Sequence, residues 1–186
     1  MGTVGIVLIV VAVIIIAIVW WYISTMNRLR KIDVKCDEAL SGIDVALTKR
    51  YDTLTKMLEV TKGYAKHEYE TLKDIIAMRQ PGANASVEDK AAYANQITSA
   101  LKSLNVVVEK YPELKADTQF SKLNDHIAQI EDNLQASRRL YNSNVTKMNQ
   151  AIVVFPTSIV ANRIGISKRS FFEAEEMKRQ DVEMKF

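Results

Sequence analysis

The sequence predicts an all-α protein: an N-terminal transmembrane helix continuous with a long helix of an antiparallel cytoplasmic helical bundle. Three observations carry that prediction. Residues 4–23 read VGIVLIVVAVIIIAIVWWYI and hold no charge; at about 1.5 Å per residue they cross a hydrocarbon core of ~30 Å. Beyond them, apolar residues recur at threes and fours, the period of one helix face. No alternating run is long enough to build a sheet.

The anchor occupies residues 1–26, with a short extracytoplasmic N-terminus, and the bundle occupies 27–186. A cleaved signal peptide fits the first stretch less well. No basic region precedes it, it is longer than the usual apolar core of a signal, and no A-x-A-like site follows. The Met1-Gly2-Thr3-Val4-Gly5-Ile6 start also lacks the Ser or Thr that myristoylation expects. Gly2 and Gly5 are spaced too closely for a G-x-x-x-G helix-pairing motif. Arg28, Arg30, Lys31 and Lys35 follow the span, and no charged side chain precedes it. The excess of Lys and Arg on cytoplasmic flanks therefore places the C-terminal domain inside and the N-terminus outside. Trp20, Trp21 and Tyr22 form an aromatic belt at the same boundary. With Arg28, Arg30 and Lys31 they make the predicted membrane interface.

The first helix meets no breaker between Asn27 and Gln80, where Pro81-Gly82 stops it. Its stripe runs through Leu29, Ile32, Cys36, Leu40, Ile43, Leu47, Leu54, Leu58, Ala65, Leu72 and Ile75. Gly42 and Gly63 interrupt it, each marking either a close helix approach or a mild bend. Ser86 with Asp89 begins a second helix, a looser form of the Ser-x-x-Glu capping box. That helix carries Val87, Ala91, Ala94, Ile97, Leu101, Leu104 and Val108, and ends at Tyr111-Pro112. Asp117 or Thr118 caps a third, whose stripe extends from Phe120 to Ile152 before Phe155-Pro156 closes it. A short turn of helix follows from Ser158 to Arg163, stopped by Gly165. Ser170 with Glu173 caps a last helix to about Arg179. The end, Asp181 to Phe186, alternates and reads as extended.

Lengths add one inference. The first cytoplasmic helix is about 80 Å long and the second about 38 Å, at 1.5 Å per residue. One antiparallel return cannot cover the longer stripe, so Leu29, Ile32, Leu40, Ile43 and Leu47 need another partner. Either a folded-back C-terminal segment or a neighbouring subunit supplies it. The second source makes these five residues a candidate self-association stripe and the protein a homo-oligomer.

Composition narrows the chemistry. The net charge is +3 over 186 residues, and no long stripe of one sign appears, so nucleic acid is not an expected partner. Cys36 is the lone cysteine and lies on the helical stripe, as a small core residue does. His67 and His126 lack the convergent ligands that zinc requires. No P-loop, G-x-G-x-x-G or G-x-S-x-G motif is present. The expectation is no enzyme, no cofactor and no metal. Arg50 falls at an inward-looking position, where it either pairs with a carboxylate inside the bundle or serves a partner. Arg163, Lys168 and Arg169 with Phe171 and Phe172 form a second mixed cluster. It meets anionic lipid headgroups or packs over the bundle end, and two adjacent phenylalanines cannot both face one way. Asn84-Ala85-Ser86 matches a glycosylation sequon but lies on the cytoplasmic side, where it acts as a turn and cap.

Several ordered blocks resemble the LemA family. Ile43-Asp44-Val45-Ala46-Leu47-Thr48-Lys49-Arg50-Tyr51-Asp52 and Lys62-Gly63-Tyr64-Ala65-Lys66-His67-Glu68 are similar to its first half. Glu109-Lys110-Tyr111-Pro112-Glu113-Leu114-Lys115-Ala116 resembles its middle turn. Tyr141-Asn142 through Asn149, Phe155-Pro156, Ile164-Gly165 and Phe171-Phe172-Glu173-Ala174-Glu175 resemble its second half. One departure stands out. Leu54-Thr55-Lys56-Met57 replaces the Leu-Ile-Pro-Asn of many members, and without the proline a straight helix through Lys56 is expected. The resemblance implies a bacterial cell-membrane protein with one span and a cytoplasmic antiparallel bundle, and it implies no catalytic residues. One relative is associated with magnetosome membrane formation, which by analogy implies a membrane-organising role. The resulting expectation is a scaffold that contacts membrane lipid and self-associates beneath the bilayer, organising or remodelling it. The alternative is an adaptor that tethers a cytoplasmic signalling or proteolytic partner.

Overall fold

The computed structural model describes residues 2–72, 75, 77–82 and 84–173. Its helices are α1 (Thr3–Tyr64), α2 (Lys66–Leu72), α3 (Val87–Lys110), α4 (Pro112–Lys115), α5 (Thr118–Val153) and α6 (Thr157–Arg163). No strand occurs among the described residues. The protein is all-α, and its apolar N-terminal helix runs on into the helical domain. Packing divides the chain into two compact units. One joins the chain up to Glu38 with Tyr141–Arg169, and the other joins Ala39–Leu140 with the chain from Ser170. The sequence of α1 and of α5 contributes to both.

α1 is continuous through the Val/Ile-rich span and through Leu54-Thr55-Lys56-Met57, as the missing proline predicts. Its threonines, poor helix formers in isolation, satisfy their hydroxyls locally. Thr48, Thr53 and Thr61 each donate to the carbonyl four residues back at 2.8 Å. For Thr53 and Thr61, both buried, this bond replaces the water they lose.

The first helix ends at Tyr64 rather than Gln80, which corrects the expected length. Gly63 lies in the last turn and weakens the helix by about 1 kcal/mol relative to Ala. A Cβ there would meet nothing within 4 Å, so Gly63 belongs to the end of the helix and not to a tight contact. Packing supplies the rest of the reason. After α2 the chain reverses, and Ile75 returns into the core with 7% of its surface exposed. Gln80 Nε2 then donates to Thr48 Oγ1 at 2.5 Å, so this segment retraces α1.

That reversal changes the direction of α3. Its Lys90 meets Asp44 of α1, Ala94 meets Arg50, and Tyr111 just beyond it meets Glu68. Rising numbers pair with rising numbers, so α3 runs parallel to α1, not as the antiparallel return the length argument assumed. α5 is the antiparallel partner. In the second unit, Gly42 faces Ser137, Arg50 pairs with Glu131, and Tyr64 bonds Asp117. Gly42 is the close approach: a Cβ built there would lie 3.4 Å from Ser137 Oγ.

The caps follow from local chemistry. Ser86 Oγ accepts the Asp89 N–H at 3.0 Å and starts α3. Asp117 Oδ1 accepts the Gln119 and Phe120 N–H groups, both at 2.8 Å, and starts α5. α6 ends in a Schellman turn around Gly165, whose φ of 74° suits glycine. There the Ile166 N–H reaches the Ala161 carbonyl at 3.2 Å. The last helix expected from Ser170 does not begin there: residues 170–173 are not helical, and Ser170 bonds Glu88 instead. Its continuation to Arg179 and the extended end at Asp181–Phe186 lie outside the described residues.

Candidate functional site

The N-terminal part of α1 is long and apolar enough to cross a membrane, and none of that window is buried by the rest of the chain. At its end Trp20 is exposed and Trp21 and Tyr22 are half-buried. Arg28, Arg30 and Lys31, a turn or two further on, are all exposed. The belt and the basic flank therefore sit together on one short stretch of α1. Ionic side chains begin where the uncharged run stops.

The five stripe residues are not equally available. Leu29 and Ile43 are fully buried and Leu47 is 2% exposed, whereas Ile32 and Leu40 are half-buried. Within the first unit the C-terminal half of α5 is folded back along α1. Asn144, itself buried, donates through Nδ2 to the Lys35 carbonyl at 3.1 Å. The folded-back segment, one of the two sources open from the sequence, thus lies against the stretch of α1 that follows the apolar run. Leu29, Ile43 and Leu47 are taken up inside the chain, so they offer no open stripe to a second copy.

Arg169 closes that unit. Its Nε and Nη2 donate to Asp33 Oδ1 at 2.9 and 2.6 Å, and its Nη1 donates to Asp37 Oδ1 at 2.7 Å. Its backbone is clamped as well, with the N–H bonded to Asn149 Oδ1 and the carbonyl accepting from Asn149 Nδ2. Asp33 and Asp37 are one helical turn apart, so their carboxylates project together and match the guanidinium fork. Burial works to lower the Arg169 pKa, but the bonds to Asp37 and Asp33 outweigh it and the net shift is upward. Cys36 lies beside this group. Burial pushes its thiol pKa up, Arg169 pulls it down, and Asp33 and Asp37 raise it again, leaving it above the ordinary value. A thiol in that setting stays protonated and inert at neutral pH.

The second unit holds two further ion pairs. Arg50, 5% exposed, pairs with Glu131 Oε2 at 2.9 Å and donates to the Ala94 carbonyl at 3.3 Å. This is the internal pairing open from the sequence. Lys90, 2% exposed, holds Asp44 Oδ2 at 2.6 Å. Together they tie α3 and α5 to α1 by groups that would be costly to bury alone. Tyr93 packs beside Tyr51 with ring centroids 6.2 Å apart. Its buried hydroxyl has no hydrogen-bond partner among the described residues. A separate open cleft in this unit is lined by Glu88, Ala92, Asn95, Ser170 and Phe171. Ser170 bonds the Glu88 carboxylate and lowers its pKa.

The mixed C-terminal cluster is divided. Arg163 and Lys168 are exposed, and Arg169 is spent on Asp33 and Asp37. Phe172 is buried under the Arg138 guanidinium, 5.1 Å from its ring centre, while Phe171 is half exposed. One phenylalanine faces in and its neighbour faces out. His67 and His126 are both exposed. Among the described residues no three His, Cys, Asp or Glu side chains converge on a point where a metal could sit.

Sequence reasoning missed Lys90, Glu131 and the Asp33–Asp37 pair. Lys90 carried a signal, because it falls three residues after Val87 and four before Ala94, on the apolar face of its helix. The aspartates carried one too, in their spacing of one turn. Glu131 did not, since nothing in its neighbourhood distinguishes it from a solvated carboxylate.

A sequence profile of the LemA family matches residues 39–186. The chain is also similar to Protein LemA of Metamycoplasma hominis, with 32% identity over 164 residues. That alignment covers 87% of this chain and 75% of the relative.

Proposed function

The chain belongs to the LemA family, and we propose that it is a single-pass membrane-anchored structural protein whose helical domain self-associates beneath the bilayer and organises it. The anchor is residues 1–26 and the cytoplasmic domain 27–186. One observation carries this reading: a run of large apolar side chains from Val4 to Ile23, exposed around the helix, leads without a break into a packed helical domain. Apolar surface of that extent is untenable in water and natural in lipid. The exposed Arg28, Arg30 and Lys31 support a cytoplasmic domain. Because Leu29, Ile43 and Leu47 are buried within the chain, contacts between copies fall on other surfaces. Val34 and Val45, 64% and 55% exposed on α1, are the candidates there.

Electron microscopy of the full-length chain, gently extracted from membranes, tests the proposal. A scaffold forms large, regular particles from protein and lipid alone. An adaptor stays small until its partner is added. Light scattering that finds a strictly monomeric particle in mild detergent overturns self-association.

A further inference from the structure

The corner between α5 and α6 presents apolar side chains that the fold does not use. Val153, Val154, Phe155 and Ile159 are 59%, 55%, 76% and 58% exposed. They lie within seven residues, on the one part of this unit outside the N-terminal run where large apolar groups crowd the surface.

Register within the unit sets the height of that corner. Asn144 bonds the Lys35 carbonyl, and Arg169 links Asn149 to Asp33. Residue numbers rise on α5 as they fall on α1, so the two segments run antiparallel here. Nine residues on from Asn144 is Val153, the end of α5, and nine residues back from Lys35 is Met26. Both helices rise by about 1.5 Å per residue, so the corner reaches the level of Met26, about 5 Å beyond Ile23 where the uncharged run ends. Thr25 and Leu29 are buried at this level, which fits a chain segment lying against them. The charge fits as well. From Tyr141 to Phe172 the sequence carries Lys147, Arg163, Lys168 and Arg169 and no acidic residue. Exposed Arg163 and Lys168 belong to the same unit as exposed Arg28, Arg30 and Lys31, and Lys168 adjoins Arg169, which bonds Asp33.

We propose that the α5–α6 corner is a second membrane contact. Val153, Val154, Phe155 and Ile159 enter the headgroup–acyl boundary of the leaflet that holds the Trp20–Tyr22 belt, and the surrounding cations meet anionic headgroups. The proposal rests on the reading of residues 4–23 as a span. Its physical content is a pinned domain: the anchor holds one point at the bilayer, and the corner holds a second, limiting rotation about α1.

The test uses the full chain reconstituted into phosphatidylcholine–phosphatidylglycerol vesicles whose phosphatidylcholine is brominated near the headgroup end of its chains. The natural tryptophans, Trp20 and Trp21, report on the belt. A triple variant, Trp20→Phe, Trp21→Phe and Phe155→Trp, reports on the corner; Phe155 is exposed, so the fold does not depend on it. Brominated lipid should quench the reporter at position 155 by about half or more, with aqueous iodide having little effect. Replacing phosphatidylglycerol by phosphatidylcholine should weaken that quenching and leave the belt unchanged. If the belt is quenched by lipid while position 155 is quenched by iodide, the corner lies in water and the proposal fails. If position 155 is quenched by neither, a second copy covers it and the proposal also fails. If lipid does not quench the belt, the span reading fails first and this proposal with it.

Discussion

Arg169 gathers two carboxylates and a backbone clamp at one point, and its side chain is about a quarter exposed. A guanidinium serves there because its planar fork bonds Asp33 and Asp37 at once, whereas an ammonium is a single point charge. Arg169→Ala should lower unfolding stability by roughly 1–3 kcal/mol, and Arg169→Lys should restore less than half of that. Urea denaturation at neutral pH measures both. Cys36 offers an independent readout: its slow reaction with a disulfide reagent should accelerate in the Ala variant as local opening rises. Tyr93 is the other residue with a sharp expectation. Burial, then Tyr51 and Asp52, pushes its phenol up to about 12. A raised folded pKa means that its contribution is complete below the ordinary value of 10.0 and fades as pH climbs towards 12. Tyr93→Phe should leave stability at neutral pH within about 1 kcal/mol of the natural chain, since the hydroxyl has no partner to lose. The same variant should flatten the alkaline loss between those values. Urea midpoints across that range decide the point.

At the scale of elements, the start of α5 joins a cap to a tertiary contact. Asp117 caps the helix with one oxygen and accepts the Tyr64 hydroxyl with the other at 2.8 Å. The Phe120 N–H, then Tyr64 and Gln119, hold its carboxyl below the ordinary value of 3.8. A depressed folded pKa places the stabilisation above that value and removes it as pH falls through the folded one. Asp117→Ala should lower the melting temperature at neutral pH by about 2–4 °C, with the difference closing in acid. Circular dichroism melts at both pH values check it. The cap was legible from sequence to within one residue, Asp117 or Thr118, because capping is local, a side chain reaching the backbone two or three residues on. The end of α1 was not. Gly63 was visible, but its modest penalty decides nothing until the reversal that returns Ile75 to the core is known.

For the whole molecule, orientation is the most accessible property. Trypsin added to inverted membrane vesicles should degrade the domain, entering at exposed Lys115 and Lys122, while intact spheroplasts should protect it. Protection in the vesicles and cleavage in the spheroplasts would reverse the proposed topology. Length arithmetic raised the question of what covers Leu29, Ile43 and Leu47. It could not choose between the chain's own end and a second copy. The choice depended on whether α5 reaches far enough back, which is a property of where the whole chain turns.

By itself, the sequence determined the uncharged span, the helical class, the cap at Ser86, a cap at Asp117 or Thr118, the stop at Gly165 and the kinship with LemA proteins. Each depends on residues within a turn or two of one another, or on an ordered series of such blocks. Only the tertiary structure decided that α3 runs parallel to α1 and that Arg169 closes on Asp33, 136 positions away. It alone brought Val153, Val154 and Phe155 to the level of Met26. These follow from where the chain reverses and how far each return runs, and hydrophobic periodicity, the same for either direction of a helix, cannot carry that information.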